Sequence, residues 1–246
     1  MSGVPDEQQS LRRLLGRSRA VLFDFDGPVT DLFDGISTTP VACEIKDAVR
    51  NAWGVLDPDL EKCEDSYEAL QCVRDMFERP ALAPRDRAAL EQAEAIVTRH
   101  EHTAVRCAAP APCLIELVDA LRDLDMRLTI VSNNSDGPIW EFLKSLGLQA
   151  KFDTVAGRDP HELRHMKPDP DSVNRAVSRL DLPASACLML GDQLTDLEAA
   201  RAAGTRFIGY TRSAERAADI RNRAADWVVP SHHPLIIAAK QLSAAN

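Results

Sequence analysis

The sequence lacks the features that a membrane protein, a nucleic-acid binder or a disulfide-rich secreted protein needs. None of its apolar runs approaches the length required to span a bilayer, and residues 1–20 lack the apolar stretch of a signal peptide. Basic residues are outnumbered and the formal net charge is −9, whereas nucleic acid and anionic membranes attract a basic face. The six cysteines form no CxxC pair, which is typical of reduced thiols. We expect a cytoplasmic protein that binds neither nucleic acid nor membrane.

What the sequence does contain is an alternation of short apolar runs and amphipathic stretches. The apolar runs predict strands at 20–25, 127–134, 186–192, 206–210 and 226–229. The amphipathic stretches predict helices at 113–124, 137–147, 170–180, 195–203 and 213–223, with a final helix after residue 231. This order predicts an α/β fold with a doubly wound, Rossmann-like parallel sheet, in which ligands bind beyond the carboxyl ends of the strands.

The alternation is interrupted directly after the first apolar run. Residues 33–109 predict three or four helices instead, at roughly 41–53, 59–78 and 86–105. We therefore predict an α/β core formed by residues 1–32 and 110–246, and a small helical cap domain formed by residues 33–109. Its place after the first strand predicts a lid over the strand ends.

Four aspartates follow two of the predicted buried strands: Asp24 and Asp26 after the first, and Asp192 and Asp196 after the third. If these strands are neighbours, the carboxylates converge on one pocket. Two like charges about 4 Å apart repel by roughly 4 kcal/mol near a protein surface, and a dication between them removes that cost. A set of oxygen ligands favours Mg²⁺ or Ca²⁺ over Zn²⁺, and Mg²⁺ commonly combines a few carboxylates with substrate phosphate.

Groups that could hold a phosphate follow the second strand and precede a helix. Ser132, Asn133 and Asn134 offer a hydroxyl, amides and backbone N–H groups between a strand end and a helix start. Lys167, in the segment HMKPDP, offers an ammonium that would offset phosphate charge. Taken singly, each of these residues is also explained as a helix cap or a surface residue.

Together these segments resemble the four motifs of the haloacid dehalogenase superfamily, whose members are mostly phosphatases, in the form that carries a helical cap after the first motif, as in phosphoglycolate phosphatases. The matching segments are DFDGPVTD at 24–31, VSNN at 131–134, KPDP at 167–170 and GDQLTD at 191–196. The resemblance covers the core at 20–32 and 110–230, whereas the insert matches only as a helical cap.

The resemblance implies a covalent phosphoryl transfer. It assigns Asp24 as the nucleophile, Asp26 as the acid and base, Ser132 and Lys167 as phosphate-binding groups, with Asn133 beside them, and Asp192 and Asp196 as acids of the metal site. Mg²⁺ would be held by the Asp24 carboxylate, the Asp26 main-chain carbonyl and Asp192. Asp196 would orient a metal-bound water or Lys167. The implied substrate is a small phosphorylated metabolite.

The first motif departs from the family pattern at two positions. Pro28 stands where a small hydroxyl or aliphatic residue is usual, and it removes one N–H that could contact phosphate. Thr30 stands where an apolar residue is usual, and we expect it to alter how the connection to the cap packs. Both bear on the rate of the reaction rather than on its type.

Three other functions remain open on the sequence. A phosphomutase would keep every residue assigned above. A zinc peptidase would use HELRH at 161–165, with His161 and His165 as ligands and Glu162 as base, provided that the segment forms a sound helix between Pro160 and Pro168. A noncatalytic binding protein would carry a dead site. A dehalogenase is disfavoured, because it has no leaving alkoxide to protonate and generally lacks the second acid, here Asp26.

The sequence does not identify the substrate. Long side chains of the predicted cap are candidates to contact it, namely Arg50, Trp53, Arg74 and Arg99. Each is also explained as ordinary helix surface or core.

Overall fold

Six parallel strands form one sheet in the order β3-β2-β1-β4-β5-β6. The structure is a computed structural model, and it describes residues 4–33, 35, 37–80 and 85–245. The strands are β1 (Ala20–Phe23), β2 (Arg127–Val131), β3 (Thr154–Ala156), β4 (Cys187–Gly191), β5 (Arg206–Tyr210) and β6 (Trp227–Val229). Since β1 is paired with β2 on one side and β4 on the other, the segments that follow these three strands meet at the centre of one sheet edge.

Helices cover both faces of the sheet, as the doubly wound pattern predicts. The helices of the core are α1 (Val4–Gly16), α6 (Leu114–Arg122), α7 (Asp136–Ser145), α8 (Asp171–Leu180), α9 (Leu194–Ala203), α10 (Ala214–Asn222) and α11 (His233–Ser243). Val21 and Phe23 of β1 point into the cluster built by α1, α6, α7 and α11, whereas Ala20 and Leu22 point into the cluster built by α8, α9 and α10. This period-two division leaves β1 buried on both faces.

Within the described residues, four helices lie between β1 and α6, and we call residues 33–109 the helical insert. They are α2 (Thr39–Trp53), α3 (Pro58–Lys62), α4 (Ser66–Glu78) and α5 (Ala88–Val105). Their apolar faces form a third cluster around residues such as Ile45, Leu70 and Val97, to which Leu163 and Met166 of the core also belong. The helical content of the insert was expected from its sequence.

The single helix predicted at 59–78 is two helices. The chain breaks at 63–65, because the Asp65 carboxylate accepts hydrogen bonds from the N–H groups of Tyr67 and Glu68 and so starts a new helix. The strand predicted at 127–134 is also too long. It ends at Val131, and Ser132, Asn133 and Asn134 form the loop that follows.

Two elements were not expected from the sequence, α1 and β3. Strand β3 has only three residues, which is too short for a periodic pattern to show. Helix α1 buries Leu11 and Leu15 and packs against α11, a contact between the two ends of the described chain. No helix within the described residues is long and apolar enough to cross a membrane.

Candidate active site

Asp24 lies directly after β1, at the centre of the sheet edge. Its N–H donates to the carbonyl of Leu190 on the neighbouring strand (2.8 Å). Its Oδ1 accepts hydrogen bonds from the N–H of Phe25 and from Nζ of Lys167, each at 2.7 Å. Among the described residues no donor contacts Oδ2, and Asp24 lines a cavity. The carboxylate is therefore held by one oxygen while the other is left for a ligand.

Lys167 bridges an aspartate that follows β1 and an aspartate that follows β4. Its Nζ lies 2.7 Å from Oδ1 of Asp24 and 2.5 Å from Oδ1 of Asp196, and it also donates to the carbonyl of Val131 at 3.3 Å. Burial alone would lower the pKa of Lys167, but the carboxylates of Asp196 and Asp24 raise it above its usual value. The ammonium stays protonated and spans the ends of β1, β2 and β4.

Asp196 is fixed by the start of α9. Its Oδ2 accepts hydrogen bonds from the N–H groups of Asp192 (3.1 Å) and Gln193 (3.0 Å), which forms a capping box at the helix end. With Lys167 on its other oxygen, both oxygens of Asp196 are occupied. Asp192 instead faces the cavity and contacts Nη1 of Arg216 at 3.3 Å.

Three of the four predicted metal-site acids come together. Asp24, Asp192 and Asp196 each offer a carboxylate oxygen, and these oxygens lie within 4.8 Å of one another. Burial, together with the nearby charge of Asp196, raises the pKa of Asp24 well above its usual value and that of Asp192 to about 7. Lys167 and the exposed Arg216 therefore stand against three clustered carboxylates, two of them buried. An all-oxygen set with excess negative charge suits a hard dication. We call Asp24, Asp192, Asp196 and Lys167 the acidic pocket.

Asp26 stands at the edge of this pocket, where the chain leaves the core for the insert. Its Oδ1 accepts a hydrogen bond from the N–H of Leu32 at 2.9 Å. Burial raises its pKa. The chain turns between Asp26 and Leu32, and a hydrogen bond from the N–H of Gly27 to the carbonyl of Thr30 closes this turn at 2.6 Å. Pro28 lies inside the turn.

Two features require a glycine at position 27: its positive φ and the closeness of Asp192. Its φ is +97°, and an added Cβ would lie 2.8 Å from Cγ of Asp192. We expect Gly27→Ala to lower the free energy of unfolding by about 1–3 kcal/mol through backbone strain and to displace Asp192. Urea denaturation and a phosphate-release assay measure the two effects.

Gly54→Ala is the matched control for this substitution. Gly54 has a φ of +75° but nothing within 4 Å of an added Cβ. It should lose stability through the backbone angle alone and keep activity. Equal activity losses in the two variants would contradict the role given to the contact between Gly27 and Asp192.

The loop after β2 holds the other predicted phosphate-binding groups. Ser132 Oγ donates to Oδ1 of Asn134 at 2.8 Å and accepts from its N–H at 3.1 Å. Asn133 bonds the backbone of Lys167 with both ends of its amide, at 2.7 Å to the N–H and 3.3 Å to the carbonyl. Ser132 and Lys167 are thus brought beside Asp24, and Asn133 fixes the segment that carries the lysine.

The cavity lies between the core and the helical insert and has a volume of about 1070 Å³. From the insert it is lined by residues that the sequence did not single out, among them Thr38, Asp65, Tyr67 and Glu68. From the core it is also lined by Arg212 and Arg216. No local pattern marks Tyr67 and Glu68, which belong to α4, a helix that packs against the core segment Leu163–His165.

The four insert residues suggested as substrate contacts lie elsewhere. Arg50 pairs with Asp47, Arg74 with Asp75, and Arg99 with Glu44. The Trp53 ring stacks on Phe77 at a centroid distance of 6.4 Å. The guanidinium carbon of Arg85 lies over the Trp53 ring, 5.5 Å from its centroid. None of the four lines the cavity within the described part of the chain. Their contacts agree with the other interpretation of these residues, ordinary helix surface and core.

A buried polar network that the sequence did not reveal joins the insert to the core. Arg158, in the loop after β3, donates to Glu101 of α5 at 2.8 Å and to Glu94 at 2.9 Å. The side chains of Arg158 and Glu101 are both 0% exposed. Tyr67 donates to Glu101 at 3.0 Å and accepts from Nδ2 of Asn134 at 2.6 Å. Arg158 and Glu101 lie 57 residues apart in the chain, so no local pattern could reveal their pairing.

The HELRH segment does not form the helix that a zinc site needs. Only Leu163–His165 are helical, in a single 3₁₀ turn. Glu162 is bound by Arg164 at 2.7 Å, and Nδ1 of His165 lies 3.5 Å from Oδ2 of Asp171. The i and i+4 alignment on which the zinc interpretation depends is therefore missing.

The sequence pattern of the haloacid dehalogenase-like hydrolases matches residues 18–204. The chain belongs to this family of hydrolases. Both the family resemblance and the parallel α/β fold predicted from the sequence are confirmed.

Individual relatives show how far the similarity extends. The chain is 27% identical over 198 residues to the pyrophosphatase PpaX of Bacillus velezensis, which covers 78% of this chain and 83% of that protein. It is 26% identical over 226 residues to the phosphoglycolate phosphatase of Synechococcus elongatus, covering 91% and 98%. A predicted phosphatase from Clostridium acetobutylicum superposes with a TM-score of 0.64 at 18% identity, covering 91% of this chain and 99% of that one. At that identity the likeness concerns the fold alone.

Proposed function

We propose that this hydrolase is a magnesium-dependent phosphatase that acts on a small phosphorylated metabolite through a phosphorylated Asp24. The observation that carries the proposal is the state of the Asp24 carboxylate. One oxygen is held by Phe25 and Lys167, and the other accepts no hydrogen bond from the described residues beside a cavity. A fixed carboxylate with one available oxygen is suited to attack phosphorus.

In the proposed reaction Asp24 attacks phosphorus and the bond from phosphorus to the alcohol oxygen breaks. Asp26 gives its proton to that oxygen, then takes a proton from the water that hydrolyses the phosphorylated Asp24. Lys167 offsets the charge of the phosphoryl oxygens, and Ser132 donates a hydrogen bond to one of them after turning from Asn134. Free carboxylate, alcohol and inorganic phosphate result.

The residues present suit a magnesium ion. Asp24 and Asp192 would hold it together with the main-chain carbonyl of Asp26, and the ion would neutralise charge that develops on the phosphoryl group. Asp196 has both oxygens engaged by Lys167 and by backbone N–H groups. We therefore assign Asp196 to orienting Lys167 and the loop that carries Asp192.

We also propose that the helical insert, residues 33–109, is a cap over a core of residues 1–32 and 110–246. The support is that α2 to α5 share one apolar cluster and that Thr38, Tyr67 and Glu68 of the insert line the same cavity as Asp24. A cap in this position excludes bulk water from the phosphorylated Asp24 and contacts the part of the substrate remote from phosphorus.

The first test is metal dependence with p-nitrophenyl phosphate. Chelation should lower the release of nitrophenol by on the order of 10² or more, because the charge of three clustered carboxylates would repel the phosphate. Mg²⁺ should restore the activity, and Ca²⁺ should restore it poorly, since its looser coordination would misplace the Asp24 carboxylate. Undiminished activity after exhaustive chelation would contradict the proposal.

The second test concerns Asp26. Asp26→Asn should lower kcat by roughly 10²–10⁴ for an alkyl phosphate, whose leaving oxygen needs a proton. The loss should be smaller for p-nitrophenyl phosphate, whose leaving group needs little protonation. Equal losses for both substrates would remove Asp26 from the role of general acid. Recovery of an isomeric sugar phosphate without inorganic phosphate would identify a mutase instead.

A further inference from the structure

The charges that surround the cavity differ between its two sides. Three cationic side chains line it, Lys167, Arg212 and Arg216, and all three belong to the core. Lys167 is committed to Asp24 and Asp196, and Arg216 contacts Asp192. Lys167 and Arg216 therefore lie at the carboxylates where phosphate and metal would sit.

The side formed by the helical insert carries negative charge. Asp65 and Glu68 line the cavity from the start of α4, with Thr38 and Tyr67 as the neutral polar groups beside them. No lysine, arginine or histidine of the insert lines the cavity within the described residues. The insert residues outside that description, 34, 36 and 81–84, are Asp, Ile and the run ALAP, so they contribute no cation either.

Hydrogen bonds hold the Asp65 carboxylate in place at the cavity. Its Oδ1 accepts from the N–H groups of Tyr67 and Glu68, each at 2.9 Å, and its Oδ2 accepts from Oγ1 of Thr38 at 3.2 Å. The start of α4 has a partial positive charge of about half an elementary charge, and the full charge of Asp65 exceeds it. Glu68, one turn further on, is exposed to the cavity and adds a second negative charge.

The leaving group must point toward this side. Asp26, which gives it a proton in the proposed reaction, is bonded to Leu32 at the point where the chain enters the insert. In the proposed reaction the phosphate would lie with Lys167 and Ser132 of the core, next to Asp24, which line the same cavity. The alcohol part of the substrate therefore extends from Asp26 toward Thr38, Tyr67 and Glu68.

We propose that the cavity selects phosphate monoesters whose alcohol carries hydroxyl or ammonium groups and no second anion. The inference rests on the proposed function, because it concerns the part of the substrate beyond the transferred phosphate. A carboxylate or second phosphate on the alcohol would meet Asp65 and Glu68, and no cation of the described insert residues lines the cavity to pair with it. A hydroxyl or ammonium group would instead donate to these carboxylates and to Tyr67.

Three two-carbon esters of similar size test the inference on the purified full-length protein with Mg²⁺. They are phosphoethanolamine, 2-hydroxyethyl phosphate and phosphoglycolate, which differ in an ammonium, a hydroxyl or a carboxylate at the far end. We expect kcat/KM for phosphoglycolate to be lower than for the other two by about tenfold or more. Equal values, or a preference for phosphoglycolate, would overturn the inference.

A charge reversal at Glu68 gives the second measurement. Glu68→Lys should raise the ratio of kcat/KM for phosphoglycolate over phosphoethanolamine by about tenfold or more, and Glu68→Gln should raise it less. The matched control is Glu61→Lys, an exposed position of the insert outside the cavity, which should leave the ratio unchanged. Because the readout is a ratio, losses common to all esters cancel. An unchanged ratio in Glu68→Lys would overturn the assignment.

Hydrolysis of p-nitrophenyl phosphate separates the two proposals. Magnesium-dependent release of nitrophenol together with no discrimination among the three esters would leave the proposed function standing and overturn the inference. No release from any of the four compounds would overturn the proposed function, and the inference with it.

Discussion

Asp24→Asn is expected to reduce phosphate release by on the order of 10⁴ or more, the largest kinetic effect of any single substitution in this chain. The amide is close in size to the carboxylate and can still accept from Phe25 and Lys167, so the fold should persist. It cannot act as the nucleophile. Steady-state assays with p-nitrophenyl phosphate measure the loss, and mass spectrometry of the quenched wild-type enzyme should locate the phosphoryl group on Asp24.

Asp123→Asn is the control for the change of charge. Asp123 ends α6 on the surface of the core and is exposed. It should leave the rate unchanged while altering the net charge by the same amount. Wild-type turnover in Asp24→Asn would show that another group accepts the phosphoryl group.

Arg158→Met is expected to cause the largest loss of stability, about 3–5 kcal/mol in the free energy of unfolding. Arg158 is fully enclosed, and its guanidinium is the cation that Glu94 and Glu101 contact, at 2.9 and 2.8 Å. Methionine fills a similar volume but leaves two glutamates without that partner. Urea denaturation followed by circular dichroism measures the change.

Arg164→Met controls for the loss of an arginine paired with two glutamates. Arg164 pairs with Glu162 and Glu78, but its side chain is 61% exposed. Exposed pairs of this kind contribute little to stability, because water screens them. Adding Glu101→Gln to Arg158→Met should recover part of the lost stability, since it removes one of the uncompensated charges. An equal decrease in the free energy of unfolding in Arg158→Met and Arg164→Met would show that burial does not determine how much the Arg158 pairs contribute to stability.

The core of the fold was predictable because its strands and helices have local patterns of apolar and polar residues. The strands at 20–25, 186–192 and 206–210 are short apolar runs, and the structure places strands in all three. Strand β3 and the break at 63–65 escaped prediction for physical reasons. The first is three residues long, and the second depends on one aspartate capping a helix rather than continuing it.

The candidate site divides in the same way. Asp24, Asp26, Ser132, Asp192 and Asp196 could be named as candidates because each follows a predicted strand, and Lys167 because its segment KPDP resembles a motif of the family. Tyr67, Glu101 and Arg158 could not, since they come together only when α4 and α5 pack on loops far away in the chain. For Arg99 and Trp53 the sequence left both substrate contact and ordinary helix surface or core open, because it does not say which face of an insert helix turns toward the core.

The two segments that connect the core to the helical insert run side by side. Thr30, one of the departures from the family pattern, donates from Oγ1 to the carbonyl of Ala109 at 2.7 Å, and the N–H of Ala111 donates to the carbonyl of Val29 at 2.8 Å. The two ends of the insert are thus tied together independently of what lies between them. Doubling the length of a flexible loop costs only about 0.6 kcal/mol of closure entropy. Evolution could therefore exchange or enlarge the sequence between residues 33 and 109 at little thermodynamic cost, while the residues around Asp24 keep their geometry.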